Sequence, residues 1–174
     1  MVQTAHTSAL DPATLAAAHA LLVDVFEGEL EATDWEHCLG GLHALAYEGD
    51  ELVGHAAVVQ RRLLHGGRAL RVGYVEGVGV RADAQRRGHA GAMMAALEGV
   101  IERAYDFGAL GSTDEGLPFY TGRGWQPWRG TLTALTPSGV VATPDEVGWI
   151  LVFGGDLDPD GELMVCDWRD GDVW

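Results

Sequence analysis

The chain has 174 residues, enough for one compact domain, residues 1–174, with a hydrophobic core. Apolar residues make up 47% and charged residues 21%, which excludes a disordered, collagen-like or membrane-spanning class. The net charge is −15 and all eleven basic residues are arginine, which argues against a nucleic-acid binder, because phosphate backbones call for a basic footprint.

In chain order, Asp11 is placed to cap a helix that Pro12 opens and that is expected to run to about residue 30. Thr33 and Glu36 stand at capping-box spacing and predict a short second helix, closed by Gly40 and Gly41. Strands are expected over residues 43–47, 52–64 and 69–80, with turns at Gly49 and Asp50 and at Gly66 and Gly67. Gly73, Gly77 and Gly79 interrupt the third strand and predict a bulge or a close backbone approach. Residues 88–105 read as a helix, with Ala90, Met94, Leu97, Ile101 and Ala104 on one face. A strand over 107–112, a short helix over 118–123 and a strand over 125–135 follow, and two last strands are expected over 148–153 and 163–167.

Charge is distributed unevenly. Residues 1–60 hold ten acids and no arginine, residues 61–144 ten arginines against seven acids, and residues 145–174 nine acids against Arg169. Either the acidic ends only solubilise the protein, or the middle holds an anion and the ends a polycation. The first ten residues lack a basic and apolar leader pattern, so a cytoplasmic protein is expected, with no membrane span. Cys38 and Cys166 match no redox or metal spacing, and the seven histidines form no ligand motif, so no metal is expected. His37, His43 and His55 read as structural rather than catalytic residues.

The most specific local signal spans residues 78–91, VGVRADAQRRGHAG. A strand ends, a loop follows, and a helix opens at Gln85, Arg86, Arg87, Gly88, His89, Ala90 and Gly91. The first-turn N–H groups of a helix have no internal partners and make an anion seat, which small residues leave open and arginine forks reinforce. The spacing fits neither a Walker loop, since the chain has no lysine, nor a Rossmann fingerprint.

The pattern Gln85-x-x-Gly88-x-Ala90 after a strand resembles the GNAT superfamily of acetyl-CoA-dependent N-acetyltransferases, as does the order of elements. That resemblance implies an α/β (α+β) fold with a mixed, mainly antiparallel sheet flanked by helices. It also implies that the loop cradles the pyrophosphate of coenzyme A, while backbone groups of Val78 and Val80 meet the pantetheine amides. Residues 33–44 (TDWEHCLGGLHA), 71–80 (RVGYVEGVGV), 119–125 (FYTGRGW) and 164–174 (MVCDWRDGDVW) extend the likeness over nearly the whole chain, to the aminoglycoside 2′-N-acetyltransferases.

The closer resemblance implies acetylation of the 2′-amino group of aminoglycosides, an antibiotic-resistance activity, by direct transfer from acetyl-CoA, in a homodimer. It places the base on Glu76, beside Gly77, and the acid that protonates the departing thiolate on Tyr120. It places the substrate carboxylates on Glu29, Asp34, Glu146 (or its neighbour Asp145) and Asp172, with Trp174 closing the pocket. The family often has Asp where this chain has Glu29. On chemistry alone, a polycationic substrate must lose a proton before its amine attacks, a carboxylate between Val75 and Val78 suits that task, and the Val78 N–H suits the developing oxyanion. Three alternatives stay open at this level: another small amine as acceptor, a binding module without turnover, and acidic ends that serve only solubility.

Overall fold

The computed structural model describes residues 1–174, which resolve into two compact units. The first comprises residues 1–59 and 75–100, the second residues 60–74 and 101–174.

In the first unit, β1 (Val2–His6) pairs antiparallel with β2 (Leu42–Glu48), and β2 with β3 (Glu51–His65). The sheet continues to β4 (Arg68–Val80). Helix α1 (Pro12–Val25) begins as its sequence requires, with the Asp11 carboxylate accepting from the Thr14 amide at 2.9 Å. It ends five residues before the expected stop, because Glu27 and Gly28 turn into the left-handed region. Helix α2 (Ala32–Cys38) starts earlier than Thr33 predicts: Glu31 is the cap, and Asp34 reaches back to accept from its amide at 2.8 Å. Leu21, Leu22, Cys38 and Ala57 form a buried cluster with Val25, Leu30, Trp35 and Leu52 against it. Helix α3 (His89–Ala104) follows β4 and buries Met93, Met94, Leu97 and Ile101; Met94, Leu97 and Ile101 lie on the expected face, whose Ala90 is half-buried and whose Ala104 is exposed.

In the second unit, β4 pairs in parallel with β5 (Phe107–Gly111), as a strand–helix–strand crossover requires. The short α4 (Leu117–Thr121) follows. The single strand expected over 125–135 is two, β6 (Gln126–Pro127) and β7 (Leu132–Thr136), separated where Trp128 is fully buried. An unforeseen β8 (Gly139–Ala142) pairs with β7. β9 (Ile150–Phe153) lies between β5 and β6, and β10 (Met164–Cys166) lies between β3 and β7. Only the β4–β5 pair and the β7–β10 pair are parallel among the described pairings, so the sheet is mixed and mainly antiparallel. Trp125 stacks on Phe153 at 5.1 Å, and the fully buried Trp128 meets the edge of His65 at 5.3 Å. No helix is long and apolar enough to cross a membrane.

The sharpest local constraint is Gly77, which sits inside β4 with φ +55°. A Cβ there would lie 2.6 Å from Cys38 Sγ and 3.0 Å from Leu22 Cδ1. Left-handed backbone costs an L-residue about 1–2 kcal/mol, and overpacking about 1–3 kcal/mol more. Gly77→Ala is therefore expected to lower stability by about 2–4 kcal/mol in urea unfolding; a loss below about 0.5 kcal/mol, the usual size of a surface change, would show that this kink relaxes freely.

Candidate active site

The first unit carries Glu29, Asp34, Glu76, Gly77, Val78, Val80 and the residue 85–91 loop. The second carries Tyr120, Glu146, Asp172 and Trp174.

Glu76 is half-buried on β4, immediately before the left-handed glycine. Turning at Gly77 takes its carbonyl toward the core, where His55 Nδ1 donates to it at 2.8 Å. His55 Nε2 then accepts from His43 Nδ1 at 2.8 Å, and His43 Nε2 accepts from the Thr7 hydroxyl at 2.8 Å. Gly40 N–H donates to that hydroxyl at 2.9 Å. Both rings are fully buried. Burial holds His43 below the usual histidine range and pushes His55 down to about 4, so both are neutral at pH 7. Trp35 lies against the pair, its ring 5.7 Å from His55 and 6.3 Å from His43, and stacks on His19 at 5.1 Å.

Asp34 is half-buried on α2, the helix whose Cys38 packs on Gly77. Glu29 is exposed in the connection after α1. Past Val80, Ala82–Ala84 forms a single 3-10 turn, and Gln85 Nε2 donates back to Val80 O at 3.1 Å, bracing the loop on the strand end. Arg86 (φ +60°) and Gly88 (φ +87°) turn the loop, and a Cβ at Gly88 would meet nothing within 4 Å. Ala92 N–H closes the first turn of α3 on Gly88 O at 2.9 Å, so the amides from His89 to Gly91 are those a helix cannot pair within itself. The loop already holds one anion: Glu48 accepts from Arg87 Nη1 at 2.9 Å and from His89 Nε2 at 2.7 Å. Those bonds, the His89 one first, hold the Glu48 carboxyl below the usual range. A pyrophosphate presents the same acceptor chemistry to the same donors, so these residues fit it.

In the second unit, Tyr120 lies on α4, nearly buried, with its ring 5.1 Å from Phe119 and 6.3 Å from Trp125. Burial pushes its hydroxyl up to about 12. The last residues are tied down by two arginines that flank Tyr74. Arg61, over the ring at 4.6 Å, donates to Asp167 Oδ1 at 2.8 Å and to Val173 O at 2.7 Å. Arg169, over the ring at 5.3 Å, donates to Asp172 O at 2.6 Å and to Trp174 O at 2.7 Å. Trp174 is 3% exposed, and its indole N–H donates to Thr143 Oγ1 at 2.8 Å, whereas Trp168 is 47% exposed. The Trp174 amide also donates to the Asp172 carboxylate at 3.0 Å. Thr143 immediately precedes the 3-10 turn Pro144–Glu146, so the tail and the two carboxylates share one neighbourhood. Burial, then Asp172 and Asp145, push the Glu146 carboxyl above the usual range. Asp145 is exposed and Glu146 half-buried.

The acetyltransferase (GNAT) domain family matches residues 7–128, and the chain belongs to the GNAT acetyltransferases. Over 175 residues, 97% of this chain and 89% of the relative, it is 46% identical to the aminoglycoside 2′-N-acetyltransferase of Mycolicibacterium fortuitum. Among solved structures it resembles Escherichia coli ElaA, with a TM-score of 0.60 at 21% identity over 88% of this chain and 99% of that one. It also resembles Eis1 from Mycobacterium abscessus, with a TM-score of 0.59 at 21% identity over 72% of this chain, though it spans only 31% of that one. These two likenesses show the fold alone.

Sequence reasoning missed Glu48, Arg61, Arg169 and Thr143, and reads His43 and His55 as structural without finding the hydrogen bonds that join them. His43 and His55 stand on adjacent strands, where His43 is opposite Ala57 and Leu45 opposite His55, so they are diagonal neighbours. Two histidines at buried positions of paired strands are the signal that was available.

The raised Glu146 carboxyl has a stability consequence. Its ionised form is disfavoured in the fold, so the cost is absent at low pH and grows as the pH rises above the unfolded value. Glu146→Gln is expected to raise Tm by about 1–3 °C at pH 7 and to match wild type near pH 4; a Tm difference that does not change with pH would clear the charge of responsibility.

Proposed function

We propose that this acetyltransferase moves the acetyl group of acetyl-CoA directly to the 2′-amino group of an aminoglycoside. The identity to the Mycolicibacterium fortuitum enzyme across nearly the whole chain carries this reading. Acetyl-CoA supplies an acyl carbon activated as a thioester. The loop amides from His89 to Gly91, with Arg86, Arg87 and His89, hold its pyrophosphate, and Arg87 and His89 exchange Glu48 for it. Gln85 and Gly88 shape that loop, and β4 meets the pantetheine arm through Val78 and Val80.

Glu76 takes a proton from the substrate ammonium through a water, and the Val78 N–H donates to the carbonyl oxygen as charge develops there. Tyr120 donates a hydrogen bond to the departing sulfur. Its hydroxyl, at about 12, is a weaker acid than an alkyl thiol of about 8.5. It therefore steadies the thiolate by hydrogen bonding and does not hand over its proton first. Glu29, Asp34, Gly77, Glu146, Asp172 and Trp174 receive the aminoglycoside, with the carboxylates matched to its ammonium groups. The buried thiols of Cys38 and Cys166, the latter pushed up to about 11 by burial, suit direct transfer better than a covalent relay. A single domain, a cytoplasmic location and a homodimer complete the reading; the exposed Val140 and Val141 on β8 offer apolar surface for the last of these.

Free-thiol release from acetyl-CoA tests the acceptor. Turnover is expected with tobramycin, which carries a 2′-amine, and not with amikacin, which carries a 2′-hydroxyl; equal turnover of both would exclude the 2′ position. Glu76→Gln is expected to lower kcat most at low pH, where free amine is scarce, and an unchanged pH profile would remove Glu76 from the base role. Tyr120→Phe is expected to cost about tenfold in kcat, the size of one hydrogen bond to a charged group, and full activity would remove it from the mechanism.

A further inference from the structure

The hydrogen-bond chain that starts at Thr7 ends on one particular peptide. His55 Nδ1 donates to Gly77 O at 2.8 Å, and the other end of that same peptide is the Val78 N–H. The chain contains no cis peptide, so the carbonyl and the N–H point to opposite sides of the strand. With the carbonyl drawn to buried His55, the N–H points to the side of the strand away from that ring.

The direction of the chain is fixed by chemistry. A carbonyl only accepts, so His55 must carry its proton on Nδ1. Its Nε2 is then an acceptor, which fixes the His43 proton on Nδ1, and Thr7 supplies the last donor. The Thr7 hydroxyl has one hydrogen, and its longer contact, 3.2 Å to Gly41 O, competes for it less well than the 2.8 Å contact to His43. The protons thus run in register toward Gly77.

Such a chain has two effects on the peptide it ends on. A donor on the oxygen increases the double-bond character of the C–N bond and polarises the N–H at the far end; strengthening of about 10–30% per bond is the usual scale. It also opposes rotation of the peptide, which glycine, lacking a Cβ, would otherwise permit. Packing alone does not call for imidazoles: a buried ring that finds no partner is costly, and an aliphatic side chain would fill these positions without that cost.

We propose that His43 and His55 are positioning residues for acetyl transfer: they hold and polarise the Gly77–Val78 peptide so that its N–H serves the thioester oxygen. The inference rests on the reading of Val78 as the oxyanion donor. Neither histidine touches the reacting atoms; each acts through the peptide.

The test compares His55→Leu with His55→Asn, whose side-chain amide places an N–H where Nδ1 stands. The readouts are kcat and KM with acetyl-CoA and tobramycin, and the Val78 amide resonance in a nitrogen-15 spectrum, which needs no turnover. His55→Leu is expected to lower kcat about 100-fold, the scale of losing one oxyanion donor, with KM for tobramycin within about threefold. The Val78 resonance is expected to move upfield. His55→Asn is expected to restore most of both. Equal losses in Leu and Asn variants, or a Val78 resonance that stays in place, would overturn the proposal. A resonance that moves in the Leu variant while kcat does not would instead overturn the Val78 donor role, and the proposal with it. Should His55→Leu fail to fold, His43→Leu, which removes the donor that fixes the His55 tautomer, is expected to move the same resonance and lower kcat about tenfold; no change in either would equally sink the idea.

Discussion

A β-strand normally spends its backbone donors and acceptors on its neighbours, so a strand that offers an N–H to a substrate must be turned out of its ladder at one point. In this protein β4 turns at Gly77, beside the Val78 N–H proposed as that donor. The left-handed φ of Gly77 is available only because no Cβ is present, and the space beside it is filled by Cys38 and Leu22. Turning the strand strands a carbonyl, and His55 accepts the obligation of pairing it. From this one peptide the requirements run outward: a second histidine to orient the first, Thr7 to orient the second, and Trp35 to cover both. The short α2 helix supplies both Cys38 against the kink and Asp34 one turn earlier.

The second unit solves a different problem, that of keeping carboxylates close together without a bound cation. Burial first, and then the charges of Asp172 and Asp145, raise the Glu146 carboxyl above the usual range. The segment that carries Asp172 stays in place because Arg61 and Arg169 grip its backbone carbonyls and not its carboxylate. The Asp172 side chain accepts from the Trp174 amide at 3.0 Å. A polycation is the ligand that such an arrangement favours.

Much of this was legible in the sequence, and what was not has identifiable causes. The α3 face, the Asp11 cap and the strands β2 to β5 follow local rules, and the structure places them within a residue or two of expectation. Helix α1 was read too long because Phe26 and Leu30 continue the apolar pattern, whereas the left-handed Glu27 and Gly28 end the helix before them. The expected strand over 125–135 breaks in two because Trp128 packs inward and the strand pairings on its two sides go to β9 and β10. β8 escaped notice because all four of its residues are exposed, which leaves no alternation to read. The anion seat at residues 85–91 is legible from the residues themselves, whereas the substrate carboxylates rest on the family resemblance. The histidine chain is legible in neither way, because its links join residues 36, 12 and 22 positions apart, and only the fold brings them together.

The arginines have a last implication. Arg61 and Arg81 use forked contacts that an ammonium would not reproduce, and the sequence contains no lysine anywhere. A guanidinium stays protonated under all physiological conditions and is a poor nucleophile toward thioesters. Both thiols are buried. A protein that handles a reactive acyl donor thus offers it neither a lysine amine nor an exposed thiol of its own.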